Sequence, residues 1–169
     1  MLIAPTEDAE LVAPKAELAF LDAQSLLLPR PMAALEAWNM IMAKPMPLLA
    51  FAFRVRDAIS ARFGVKRIGG FSGKQQANLK EGDYLDFFLI EHLSPDMLTL
   101  TERDRHLDVM TCVTTSDQTL TITSSVKTHN LYGKAYMLPV GPAHRIIVRT
   151  MLARLGNELA SEEIRPHVH

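Results

Sequence analysis

The hydrophobic pattern of this chain changes period at Asp86, and that change limits the fold more than any other feature. Upstream, apolar residues recur every three or four positions, as on one face of a helix; downstream they alternate, as on a half-buried strand. Asp86–Leu93, Met97–Arg103, His106–Thr115 and Gln118–Thr128 read as four strands. Ser94-Pro95-Asp96 and Ser116-Asp117 are short enough to be hairpin turns between them. In the last run Leu120, Ile122 and Val126 face one way, and Thr119, Thr121, Thr123, Ser125 and Lys127 face the other. The expectation is an antiparallel meander with one apolar face.

Such a face must be covered. The available cover is Ala143–Leu159, where Val148, Met151, Leu152, Leu155 and Leu159 form a helical stripe. The preceding stretch, with Gly133, Pro139, Gly141 and Pro142, reads as a loop. Upstream, Leu18–Leu28 holds a short strand ended by Pro29 and Pro31. Two amphipathic helices, Met32–Ala43 and Leu48–Phe63, are split by Pro45 and Pro47, and a glycine-bearing connection spans 64–84. The chain is thus read as an arm (1–16), a single α+β domain (17–159) and a polar tail (160–169) holding His167 and His169. The order of elements resembles the helix-grip (START-like) arrangement, in which an antiparallel sheet packs on a long C-terminal helix and a cavity often lies between them.

At 169 residues the chain is one domain's worth, long enough to bury roughly 70% of its unfolded surface. No disulfide or metal is needed to hold it. The lone Cys112 allows no intramolecular disulfide and suits a small buried position. A net charge of -1 argues against a bulk polyanion binder, and no nucleic acid partner is expected. The charges are nevertheless blocked: Glu81–Asp108 carries a net −6, while Arg54–Lys74 and Gln118–Asn157 each carry +5. Blocks of opposite sign can neutralise one another across a fold. Gly69-Gly70-Phe71-Ser72-Gly73-Lys74-Gln75 fails the phosphate-loop pattern, because three residues separate Gly69 from Gly73 and Gln75 replaces the required hydroxyl. The opening residues lack the basic start of a secretory signal. Trp38–Phe53, the most apolar stretch, is broken by Lys44, Pro45 and Pro47 and is too short for a membrane span. A soluble cytoplasmic protein without an integral membrane segment is expected.

Three segments are distinctive: His106-Leu107-Asp108, the run from Thr128 through His129-Asn130 to Tyr136, and Pro142-Ala143-His144-Arg145-Ile146-Ile147-Val148 followed by Met151-Leu152. Together they resemble the mainly bacterial domain-of-unknown-function family 2867, usually placed near the START-like (SRPBCC) proteins. The resemblance covers roughly 18–156. It departs at Lys134, where arginine is frequent in the family, and at Val109, where an aromatic is common and the shape of a pocket would change. It implies a fold and no activity. Some relatives carry the domain fused to a nucleotide-binding oxidoreductase domain, which implies an accessory role as one alternative.

Three constellations could carry chemistry. His106 and Asp108, at i and i+2 of an expected strand, project to one face. A carboxylate beside an imidazole fixes its tautomer and raises its basicity, as a general base requires; the pair also suits a polar strand edge. His129-Asn130, at the exit of the last strand, can fasten a turn or, with Tyr132 and Tyr136 following, join a site. His144-Arg145 opens the expected terminal helix, where free N–H groups and the dipole favour an anion. Counting back through Ser116-Asp117 sets residue 128 opposite about residue 105, which brings His129 near His106. The expected pocket therefore gathers His106, Asp108, His129, Asn130, Tyr136 and His144 at one end of a cavity under the terminal helix. The histidines show no metal-ligand spacing, so neither a metal nor a cofactor is expected. No catalytic residue is assigned. The first reading is a binder of a small hydrophobic molecule. The alternatives are an enzyme using His106, Asp108 and His129 for acid–base work on such a ligand, or an accessory module for an oxidoreductase partner. A homodimer stays open.

Overall fold

A computed structural model describes residues 9–43 and 78–163, with positions 47, 50, 54, 57 and 72 between them. The expected helix Leu48–Phe63, the glycine-bearing piece 69–75 and the histidines of the tail lie outside or largely outside the described residues. A 3-10 turn at Lys15–Glu17 leads into β1 (Phe20–Leu27) and α1 (Ala34–Met42). Then come β2 (Tyr84–Leu85), β3 (Phe88–Leu93), β4 (Met97–Arg103), β5 (Leu107–Ser116), β6 (Thr119–Thr128) and α2 (Leu131–Glu163). The six strands form one antiparallel sheet in the order β1-β6-β5-β4-β3-β2. With the long terminal helix packed against it, this is an α+β, helix-grip-like arrangement. Among the described residues no helix is long and apolar enough to cross a membrane.

The inner face of the sheet is the apolar one. Leu98, Leu100, Val113, Leu120 and Ile122 pack there against Ala37, Trp38 and Ile41 of α1 and against Val148, Met151, Leu152, Leu155 and Leu159 of α2. The helical stripe expected from spacing is thus the stripe buried. The N–H of Ala34 donates to Pro95 O at 2.9 Å, fixing the start of α1 to the β3–β4 turn.

The structure corrects the sequence reading in three places. First, the helix begins at Leu131, so the expected loop through Pro142 is helical. Asn130 caps it, its Oδ1 accepting the Gly133 N–H at 3.0 Å. The two glycines serve close approach here: a Cβ at Gly133 would collide with the His106 carbonyl, and one at Gly141 would stand 3.1 Å from the Phe20 ring. Pro139 and Pro142 sit inside the helix and each removes one backbone donor. Second, the face bearing Thr121, Thr123 and Ser125 is buried, together with Thr99, Thr101 and Cys112. Part of the arm lies on it, for the Val12 N–H donates to Ser125 Oγ at 3.0 Å. Third, the β5–β6 loop is Asp117-Gln118, with Ser116 paired to Thr119 and Asp117 in the left-handed region at φ 51. Thr128 therefore pairs with Leu107, two residues from the expected register.

Candidate functional site

Strand alternation sets up the site. On the inner face, Phe20 of β1, Val126, Ser124 and Ile122 of β6, and Val109 and Thr111 of β5 point toward the first half of α2. That half contributes Tyr136, Met137, Val140 and His144. Between the two lies a partly enclosed cavity of about 200 Å³, closed further on by Trp38 and Phe88. Its wall is mainly apolar, and its polar groups fall in two places. Glu102, Asp104 and His106 line one end, beside Tyr132 and Tyr136; Thr111, Ser124 and His144 interrupt the apolar interior.

The end group is tightly engaged. Asp104 Oδ1 accepts the N–H groups of His106 at 2.6 Å and Leu107 at 2.9 Å, so residues 104–107 form a turn and His106 precedes the strand. Arg105 Nε donates to His106 Nε2 at 3.0 Å. A guanidinium only donates, so His106 Nε2 accepts, while Nδ1 faces the Asn130 amide, 3.0 Å from its Nδ2 and 3.3 Å from its Oδ1. Its ring lies 4.5 Å from that of Tyr132, which in turn stacks on Tyr136 at 6.4 Å. Both nitrogens of His106 are committed, which leaves no lone pair free for a general base.

The six expected residues divide. His106, Tyr136 and His144 line the cavity; Asp108, His129 and Asn130 do not. The His129 N–H does donate to His106 O at 2.8 Å, so the two backbones meet as expected. Their side chains part because His106 stands in a turn, where the i, i+2 rule does not hold. Asp108 alternates with the cavity-lining Leu107 and Val109 and so points to the outer face. There His129 Nε2 lies 3.0 Å from Asp108 Oδ1. The chain of charges continues through Arg103, 3.4 Å from Asp108 and 2.9 Å from Glu91. The Glu91 hydrogen bond, followed by the charges of Glu91 and Asp108, holds the Arg103 pKa above its ordinary value against the opposing effect of burial. Asn130 acts from behind, bonded to His106 and capping α2. Among the described residues no group of three His, Cys, Asp or Glu is placed to hold a metal ion.

His144 is three turns inside α2, so the expected anion site at a helix start does not form. Arg145 is occupied elsewhere: its Nε donates to the buried Asp22 Oδ1 at 3.2 Å, and its guanidinium lies 5.1 Å over the Phe20 ring. Gln24 Nε2 bonds Asp22 Oδ2 at 2.8 Å and Arg145 O at 3.0 Å, which ties β1 to α2. The His144 imidazole meets Phe20 edge-on at 5.6 Å. Burial depresses its pKa; the Asp22 charge opposes this and Arg145 adds to it.

Sequence reasoning missed Ser124 and Thr111. The signal was present: Ser124 breaks the apolar series Leu120, Ile122, Val126, and Thr111 breaks Val109, Val113. The two are register partners on adjacent strands.

The pattern of a family described as "Protein of unknown function (DUF2867)" matches residues 15–151. No curated protein matches the chain. Among solved structures, a hypothetical protein of Helicobacter pylori is similar at 15% identity and a TM-score of 0.42, covering 89% of this chain and 99% of that one.

Proposed function

The chain belongs to the DUF2867 family, and on that premise we propose that it binds a small, mainly apolar molecule between the sheet and the first half of α2. The observation that carries this reading is the cavity of about 200 Å³ with its mainly apolar wall. An apolar cavity of roughly 150 Å³ in another protein is large enough to hold benzene, so the ligand is of one-ring size or its aliphatic equivalent. His106, Tyr136 and His144 are its candidate contacts from the expected set. The acid–base alternative finds no support, since Asp108 points away from His106 and both His106 nitrogens are engaged.

The test is ligand-detected NMR with toluene, against wild type and Val109→Trp. Val109 lines the cavity and is only partly buried, so a larger side chain fills the space. Binding to wild type and its loss in a folded Val109→Trp protein is the expected result. No toluene binding to wild type, or equal binding to both, rejects the reading.

A further inference from the structure

Two polar atoms in the cavity wall stand out. Ser124 Oγ and His144 Nδ1 are buried, and among the described residues neither has a hydrogen-bond partner. Ser124 is 2% exposed and sits on β6, an interior strand of the sheet, where every other inward side chain from Leu120 to Val126 is apolar. Leaving such atoms unpaired costs stability, and buried polar groups are normally satisfied. An apolar residue at either position would avoid the cost, so a group on the occupant offers a physical reason for both.

The surroundings restrict that group. Asp22 is the register partner of Ser124 on β1, and its carboxylate is buried. Glu102 and Asp104 line the opposite end, and among the described lining residues there is no lysine or arginine. An anion would meet the carboxylates of Glu102 and Asp104, and the guanidinium nearest to it, that of Arg145, is already engaged by Asp22. At Ser124 and His144 a cation would find the Asp22 carboxylate already engaged by Arg145, and it would face an imidazole whose own positive form burial disfavours. Hydroxyl and carbonyl groups avoid both penalties. A serine hydroxyl can donate or accept, and a neutral imidazole nitrogen does one or the other according to tautomer.

Resting on the reading of the cavity as a binding site, we propose that its ligand is an uncharged molecule of about one-ring size bearing a hydroxyl or carbonyl group, which pairs with Ser124 Oγ and His144 Nδ1. The ring or chain lies against Phe20, Val109 and Val126, and the polar group points to β6 and α2.

Four probes of matched size test this by titration calorimetry: toluene, p-cresol, p-toluate and benzylamine. The expected order places p-cresol about tenfold or more tighter than toluene, with both charged probes weaker than toluene. Ser124→Ala and His144→Phe should each remove most of the p-cresol advantage, read as the ratio of p-cresol to toluene affinity within the same variant. Phenylalanine at 144 keeps an aromatic ring against Phe20, and circular dichroism checks that each variant is folded. Toluene binding with no preference for p-cresol overturns the head-group assignment and leaves the cavity reading standing. Tightest binding of p-toluate or benzylamine does the same. A p-cresol advantage that survives both substitutions also overturns it. Failure of every probe to bind wild type overturns both.

Discussion

The two halves of α2 share one helix and do different work. From Val148 onward the helix is chiefly a core element: Val148, Met151, Leu152, Leu155 and Leu159 are all buried in one cluster with α1 and the sheet, and of these Val148 and Met151 also reach the cavity. From Leu131 to Ile147 it is a wall. Its inward residues, Tyr136, Val140 and His144, border the cavity, and its outward ones include Leu131 and Leu138, 81% and 77% exposed. The second half can be read from spacing alone. The first half carries Gly133, Pro139, Gly141 and Pro142, and holds its place through a cap and close contacts with β1. Packing fixes one half and polar fastening fixes the other, which is how a single helix can both close a core and border a space.

The comparison breaks most directly at Leu155, 1% exposed in the packed half. Leu155→Ala should cost about 2–5 kcal/mol in urea unfolding. A loss well under that would mean the second half is no more tightly packed than the first. The next effect is a pH dependence located in the wall half. Because burial lowers the His144 pKa from its ordinary value of 6.5, the unfolded chain binds that proton more readily than the folded one. Stability is therefore retained above 6.5 and lost as pH falls from there toward the depressed value, by at most about 1.4 kcal/mol per pH unit from this one group. His144→Phe should flatten that part of the wild-type profile in the same unfolding measurement; parallel profiles would remove His144 as the cause. The smallest effect belongs to His129, just before the wall half but on the outer face. His129→Ala removes a partly exposed contact with Asp108 and should cost under about 1 kcal/mol. Toluene binding should stay unchanged. Weakened binding would mean that the outer charge chain shapes the cavity.

Most of the fold was legible because alternation and helical spacing report burial on one face. Met97–Arg103 is a strand with the expected ends, and α1 lies within the expected Met32–Ala43. The two-residue β2 is too short to leave a pattern. The start of α2 was hidden because glycine and proline ordinarily mark loops, while here Gly133 and Gly141 let the helix approach His106 and Phe20. The site was legible in part for a similar reason. Periodicity locates strand residues, so Asp108 could be placed on a face, but His106 lies in a turn that Asp104 creates. Ser124 was visible as a gap in an apolar series and went unread, because one serine in a strand carries no motif.

The placement of β1 has a consequence for how the molecule assembles. The meander from β3 to β6 joins neighbours in sequence, so its hairpins can form locally. Strand β1 pairs with β6, about a hundred residues further on, and contacts of such separation form slowly. During synthesis β1 therefore waits for almost the whole domain to emerge before it finds its partner. Phe20 and Asp22 arrive with it, one bordering the cavity and the other holding Arg145 of α2. The cavity is completed only after this step, when α2, which follows β6 in the chain, packs its wall against the sheet.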